Sequence, residues 1–150
     1  MTIFSTGSVR VSAKTDYAIR AAIELATAGD SSSARTAQEI ADAQQVPLRF
    51  LLNILADLRR VGLVDSRRGP HGGWWLSRPA GSITVADVIR AVDGPLSEPT
   101  NARPGETAKL ASAASVDDLW AAVHAGIRDI LERITVADLA TGDLPGATAV

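Results

Sequence analysis

The strongest constraint on the fold is the order of three patterns between residues 36 and 77. Thr36-Ala-Gln-Glu39 has the spacing of a capping box, in which two side chains satisfy backbone amides at a helix start. Pro47 suits the first turn of a second helix, because a proline there loses no hydrogen bond. After Gly62, the alternating segment LVDSR, the turn RGPHGG and the segment WWLS predict a β-hairpin. The centre of the chain is therefore predicted to be a helix pair followed by a hairpin.

The second helix of the pair, PLRFLLNILADLRRV, has an apolar and a polar side. Its leucines recur at the spacing of a buried helical stripe. The residues predicted to be buried are Leu48, Leu51, Leu55 and Leu58. Arg49 and Asn53 lie one turn apart on the other side. This polar outer face is long enough to read DNA, with the hairpin beside it as a wing.

Further helices are predicted on both sides of this region. Residues 12–28, SAKTDYAIRAAIELATA, are rich in alanine and predict a buried first helix. Ser82–Val92 predicts another helix, with Thr84 and Asp87 as its capping box. Residues 94–115 are rich in Pro, Ser, Thr, Gly and Ala, which predicts a mobile or irregular loop.

A long amphipathic helix is predicted from Val116 to Ile134, followed by a short turn capped by Thr135 and Asp138. Its apolar stripe is too long for the core of so small a chain to cover. A helix of a second subunit is therefore the predicted cover. The residues predicted at this dimer interface are Leu119, Trp120, Val123, Ile127, Ile130, Leu131 and Ile134.

Positive charge is concentrated in the first half of the chain. The net charge is −2, but residues 1–80 hold ten arginines and lysines against seven aspartates and glutamates, and residues 81–150 hold five against ten. The segment from Arg59 to Arg78 contains five arginines and a single carboxylate, Asp65. A local basic surface matters more for phosphate contact than the total charge does. The charge pattern is therefore compatible with a nucleic-acid ligand.

Several classes of function are not expected. The chain contains no cysteine, which excludes disulfides, thiolate zinc sites, cysteine-ligated clusters and thiol nucleophiles. With only His71 and His124, a multi-histidine metal site is not expected, and neither is any cofactor. No Ser-His-Asp order, phosphate loop or metal-ligand spacing points to an enzyme. The chain shows no long apolar run and no signal-peptide pattern, so we expect a soluble cytoplasmic protein without membrane contact.

Together these segments resemble a known family. Over about residues 9–140 the chain is similar to the IscR, NsrR and CymR group of bacterial regulators, the Rrf2 family. The matching segments are VSAKTDYAIRAAIELA, AQEIADAQQVPLRFLLNILADLRRVGLVDSRRGPHGGWWLSRP, ITVADVIRAVDGPL and the late DLWAAV…ITVADLA. Their order and spacing, with the RGPxGG wing, make the resemblance specific.

The resemblance implies a mainly α fold with a small β-hairpin wing and a long C-terminal dimerisation helix. A winged helix-turn-helix DNA-binding domain is expected at residues 9–80. Residues 81–140 are expected to form a linker helix, a flexible loop at about 95–115 and the dimerisation helix, which crosses to the partner subunit. Residues 141–150 are expected to be a tail.

The chain departs from the family pattern in three places. Cluster-binding members carry three cysteines in the stretch that corresponds to about residues 95–115, where this chain has none, so no iron–sulfur cluster is carried over. The wing has His71 and Trp74 where the family motif RGPGGGY has glycine and tyrosine. A glutamate in the recognition helix of cluster-binding members is replaced by Leu52. This last change puts their operator sequence in doubt here, but not DNA binding.

The predicted DNA-contacting residues lie in the first helix, the helix pair and the wing. They are Ser12, Lys14, Thr36, Pro47, Arg49, Asn53, Arg59, Arg68, Gly69, Pro70, His71 and Gly72. Arg49 can pair with guanine and Asn53 with adenine, although both also fit solvated surface positions. Arg59 matches a DNA-contacting position of the family. Arg68, at the wing tip, can enter a minor groove, whereas Thr36 has helix capping as its simpler role.

We therefore expect a sequence-specific DNA-binding transcription regulator that acts as a repressor. It would bind as a homodimer to a near-palindromic operator, without an iron–sulfur cluster. Two alternatives stay open: DNA binding controlled by a docked enzyme, or by a small molecule.

Strand alternation predicts that one of Trp74 and Trp75 faces the core and the other faces outward. The three tryptophans also offer an effector pocket near residues 95–115, although Trp120 lies on the apolar stripe and fits the dimer core better.

Overall fold

The computed structural model describes residues 12–94 and 116–144. Within these ranges it contains six α-helices and one two-stranded antiparallel sheet. In chain order the elements are α1 (Ala13–Ala28), α2 (Ala37–Gln44), α3 (Leu48–Arg60), β1 (Val64–Arg67), β2 (Gly73–Leu76), α4 (Val85–Asp93), α5 (Val116–Arg133) and α6 (Val136–Thr141). The predicted fold class, mainly helical with one small hairpin, is confirmed. No helix in the described part of the chain has the length and apolarity needed to cross a membrane.

Some predicted segments fall outside the described residues. These are the first residues of the predicted DNA-binding domain (9–11), the predicted loop (95–115) and most of the predicted tail (145–150). The helix α6 ends at Thr141, one residue into the segment predicted as tail.

The central helix is α1, which packs against α2, α3, α4 and α6. Ser12 caps it by accepting a hydrogen bond from the Thr15 amide at 3.1 Å. Its buried side consists largely of alanine, with Ala18 and Ala21 fully buried beside Leu25. Because alanine is short, the helices that surround α1 can approach it closely. The first predicted helix is thus confirmed with its boundaries.

A single left-handed residue makes the turn between α2 and α3. Gln45 has φ 57° and ψ 46°, and its amide donates to the Ala41 carbonyl at the end of α2. This conformation closes the helix and redirects the chain. Val46 is then buried in the core, and Pro47 precedes the first residue of α3. The turn therefore sets the angle at which α3 is presented.

Two details of the helix pair differ from the prediction. The capping box of α2 is only half formed, because Thr36 accepts from the Glu39 amide at 3.1 Å while the Glu39 carboxylate faces Arg35 at 3.7 Å. Leu48 was predicted to be buried but is exposed, and Ile54 is buried with the other three leucines. The reason is positional: Leu48 is the first residue of α3, so no preceding turn shields it, whereas Ile54 lies midway along the buried side.

The hairpin pairs Val64 with Leu76 at its base and Arg67 with Gly73 near its tip. Trp74 faces inward and packs against the core, as alternation predicted for one tryptophan. Its backbone also pairs with Arg35, which attaches the wing to the segment before α2. Trp75 faces outward, where the Arg67 guanidinium lies 5.7 Å from its ring centroid.

The C-terminal helices are joined to the rest by backbone and ionic contacts. Thr84 and Thr135 form an isolated antiparallel bridge, and each begins a helix with a complete capping box. Arg90 on α4 forms an ion pair with Glu132 near the end of α5. These contacts hold the C-terminal end of α5. Much of its apolar stripe is exposed, including Leu119, Trp120, Val123 and Ile130, while Ile127, Leu131 and Ile134 are half-buried.

Candidate nucleic-acid interface

The outer face of α3 presents Arg49 and Asn53 to solvent. They are one helical turn apart and project from the same side, away from the buried Leu51. The Arg49 guanidinium lies 4.9 Å from the centroid of the neighbouring Phe50 ring. Because the face is exposed and close to the helix N-terminus, it can enter a groove of DNA without rearrangement of the core.

The wing tip is a tight turn that depends on glycine. Gly69 has φ 109°, and its carbonyl accepts from the Gly72 amide at 2.9 Å. A Cβ atom on Gly72 would overlap the Arg67 carbonyl oxygen, so no other residue fits there without a change of the turn. Arg67 closes the tip by donating from Nη2 to the His71 carbonyl at 3.2 Å. Arg68 is left exposed at the outer end.

An open cleft of about 630 Å³ lies between the start of α2 and the wing. Its lining is Thr36, Ala37, Arg59, Ser66, Arg67, Arg68, Gly69, Gly72, Gly73 and Trp74. Arg59 is held toward the wing by a hydrogen bond from its Nη1 to the Ser66 Oγ at 3.1 Å. Three arginine residues and the positive end of α2 thus border one opening, although the Arg67 guanidinium itself lies beside Trp75, and this arrangement favours a phosphate.

The arginines of this surface differ from most other cations of the described residues in their ion pairs. Lys14, Arg20, Arg35, Arg60, Arg78 and Arg90 each contact a carboxylate. Within residues 12–94 and 116–144, no carboxylate contact is found for Arg49, Arg59, Arg67 or Arg68. All four lie on α3 or the wing. Within the described residues, four arginines without a carboxylate contact therefore lie on α3 and the wing, and Arg133 at the end of α5 is a fifth.

The structure brings some of the predicted DNA-contacting residues together and separates others. Five of them line the cleft: Thr36, Arg59, Arg68, Gly69 and Gly72. Pro47, Pro70 and His71 are exposed but do not line it. At the start of α1, Ser12 contacts Asp93 and Lys14 contacts Asp57 at 2.9 Å, so both have structural roles.

Arg67 and Ser66 line the cleft but were not predicted from the sequence as site residues. Arg67 is paired with Gly73 on a two-stranded hairpin, and both residues line the cleft from its edge. The available signal was the arginine pair Arg67-Arg68 before the glycine-rich turn. The three tryptophans have separate surroundings: Trp74 packs on the core, Trp75 lies beside Arg67, and Trp120 is on the exposed stripe of α5.

The comparisons with known proteins agree with this geometry. The Rrf2 family model, described as an iron-dependent transcriptional regulator, matches residues 11–142. A protein of Mycobacterium tuberculosis that carries the name of an HTH-type transcriptional regulator is 42% identical over 137 residues, covering 91% of this chain and 84% of that protein. The HTH-type transcriptional regulator CymR of Bacillus subtilis is 29% identical, covering 89% and 91%.

Solved structures give the same result. The structure of CymR, the global cysteine regulator of B. subtilis, aligns with a TM-score of 0.77 and 28% identity over 89% of this chain and 98% of that one. The IscR structure from T. potens aligns with a TM-score of 0.70 and 30% identity, covering 89% and 88%. The predicted winged-helix fold is confirmed. The matching family and relatives are transcriptional regulators rather than enzymes.

The residues of this chain do not fit the iron in the family's description. The sequence has no cysteine to ligate an iron–sulfur cluster. Within the described residues, no group of three or more His, Asp or Glu side chains could hold a metal ion. His71 lies at the wing tip and His124 is buried on α5, so the two histidines belong to different parts of the fold. No step of the function is therefore assigned to iron.

Proposed function

Because the chain belongs to the Rrf2 family of transcriptional regulators, we propose that it is a cytoplasmic, homodimeric repressor that binds a near-palindromic operator without an iron–sulfur cluster. The observation that carries the proposal is the grouping on one surface of four arginines for which no carboxylate contact is found within the described residues, Arg49, Arg59, Arg67 and Arg68. A carboxylate competes with phosphate for a paired arginine, and no such competitor is found for these four within the described residues.

Each part of this surface has a distinct role on DNA. The outer face of α3 enters the major groove, where Arg49 reads guanine and Asn53 reads adenine. The wing tip follows the adjacent backbone, and Arg68 enters the minor groove or contacts its phosphates. Arg59 and the start of α2 hold a phosphate in the cleft between them. Base contacts supply the sequence preference, and phosphate contacts supply much of the affinity.

The homodimer is supported by the exposed apolar stripe of α5. Leu119 is 56% exposed and Ile130 is 47% exposed, although both lie on the apolar side of an amphipathic helix. A second copy of α5 packed against this side would remove these residues from water. It would also place two recognition helices on one side of the DNA, as a near-palindromic operator requires.

The test is fluorescence anisotropy of the purified protein on DNA from upstream of its own gene, at several salt concentrations and with excess competitor DNA. We expect tight, competitor-resistant binding that weakens steeply with salt. Weak, competitor-sensitive binding would contradict a regulator that acts alone. It would favour the alternative in which a metabolite or a docked enzyme controls DNA binding.

Two arginine variants make this test specific to the surface. Arg68→Ala should weaken binding and reduce the salt dependence by about 0.9 for each phosphate that the protein no longer neutralises. Arg20→Ala is the matched control, because Arg20 is already paired with Asp16 at 2.8 Å. If the two variants had the same affinity for DNA and the same salt dependence, the wing would have no role in DNA binding.

A further inference from the structure

An aromatic side chain lies exposed beside the arginine that we assign to base reading. Phe50 follows Arg49 on α3 and is 46% exposed. Its ring stacks on Tyr17 of α1, with the centroids 6.5 Å apart and the planes 29° from parallel. The Arg49 guanidinium also lies 4.9 Å from the Phe50 centroid. The ring thus contacts two neighbours while much of its surface faces solvent.

We propose that Phe50 is a specificity-determining residue that contacts the C5 methyl group of a thymine beside the guanine read by Arg49. The inference rests on the proposed function, since it needs α3 in the major groove. It adds thymine as a recognised base and Phe50 as the residue that contacts it.

The chemistry of the major groove restricts what a phenyl ring can recognise there. Guanine, cytosine and adenine present only hydrogen-bond donors and acceptors on this edge, whereas thymine also presents a methyl group. Phe50 has no donor or acceptor to offer, so an apolar contact with that methyl group is its one favourable base contact. Burial of a methyl group against the ring removes apolar surface of both partners from water.

The contact with Arg49 explains why the thymine and the guanine should be neighbours. A guanidinium above an aromatic ring is attracted by the ring's electrons, and the contact restricts both side chains. Because Arg49 and Phe50 are in contact, we expect the bases that the two side chains reach to be adjacent. The contact with Tyr17 also restricts the ring, which lowers the entropy lost when DNA binds.

The other exposed apolar residues on or next to this helix lack these features. Leu48, Leu52 and Val61 are also exposed, but none can make the ring contact that joins Phe50 to Arg49. Val61 directly follows α3, about three turns away from Arg49. It therefore offers a control residue of similar exposure and chemistry.

The experiment compares thymine with deoxyuridine, which differs only by the absence of the C5 methyl group. Operator duplexes are first selected from a random pool by the full-length protein, and each thymine of one half-site is then replaced singly by deoxyuridine. We expect one replacement to weaken wild-type binding about fourfold, the effect of one buried methyl group. For Phe50→Ala the same pair of duplexes should bind equally.

Controls separate this effect from changes in folding or charge. Val61→Ala should keep the fourfold difference, and the salt dependence of Phe50→Ala should equal that of the wild type, since no charge is removed. A fourfold difference that persists in Phe50→Ala, or no deoxyuridine effect at any thymine, would overturn the inference while leaving the DNA-binding function intact. Selection that yields no preferred sequence would overturn both.

Discussion

The ammonium group of Lys14 lies 2.9 Å from the carboxylate of Asp57, which joins the first turn of α1 to the side of α3. Arg60 contacts the same carboxylate at 3.1 Å, and the Asp57 side chain is only 17% exposed. One carboxylate is therefore shared by two cations at the edge of the surface that we propose for DNA, and it offsets one of their two positive charges. We expect this pairing to limit attraction to phosphates that carry no sequence information.

Asp57→Asn should increase the affinity for DNA without an operator. The amide keeps the size of the side chain but releases Lys14 and Arg60, and each cation that then reaches a phosphate should steepen the salt dependence by about 0.9. Anisotropy on a non-operator duplex across a salt series measures both effects. Asp129→Asn on α5 makes the same change in net charge and should leave the curve unchanged. An unaltered salt dependence for Asp57→Asn would contradict the shielding role.

Gly72→Ala should disable the wing. The new Cβ would overlap the Arg67 carbonyl oxygen and lie 2.9 Å from the Gly69 oxygen, both of which are backbone atoms that cannot rotate away. The tip must therefore open, and operator affinity should fall at least as far as in Arg68→Ala. Gly81→Ala is the control, since nothing lies within 4 Å of its Cβ. Wild-type affinity of Gly72→Ala would show that the tip geometry is unimportant.

Ile130→Asp should convert the protein to monomers. The side chain is 47% exposed in one subunit, so a carboxylate is tolerated there by the isolated fold but is buried without a partner in the proposed dimer. Sedimentation velocity should show the smaller species, and operator affinity should fall because two half-sites are no longer bound together. Ala125→Asp, exposed on another side of α5, should remain dimeric. A dimeric Ile130→Asp would move the interface elsewhere.

Asp87 should contribute stability that is lost in acid. Burial opposes its ionisation, but hydrogen bonds from Thr84 and Arg90 outweigh that effect and hold the pKa of the carboxyl below its usual value. A lowered folded-state pKa means that the contribution is complete above the unfolded-state pKa of about 4 and is lost as the pH falls through the folded-state pKa. Urea unfolding at pH 7 and in a series below pH 4 should show this loss.

Substitutions at the capping box check the origin of that acid sensitivity. Asp87→Asn should lower the free energy of unfolding at pH 7 and flatten its dependence on pH below 4. Thr84→Ala removes the cap partner and should lower stability by about 1 kcal/mol. Asp42→Asn, at an exposed position on α2, should retain the wild-type pH dependence. If Asp87→Asn lost as much stability below pH 4 as the wild type does, the acid sensitivity would come from other carboxylates.

Features that depend on neighbouring residues in the chain were predictable. The two threonine–aspartate capping boxes at Thr84 and Thr135, the inward and outward alternation of Trp74 and Trp75, and the order of helix pair and hairpin all appear in the structure. Each follows from hydrogen bonds or side-chain directions within a few residues. The basic character of the second helix and the wing could be predicted because it needs only a count of charges.

Residue patterns along the chain were enough to predict the type and order of the elements and the charge of one surface. The packing of the elements was needed to show that Lys14 pairs with Asp57, that Arg67 borders the cleft, and that Leu48 is exposed. These outcomes depend on distances between residues far apart in the chain, or on where a helix ends relative to its neighbours. The pattern of residues over a few positions predicts neither these distances nor the position of a helix end, because burial and ion pairing are set by the packing of whole elements.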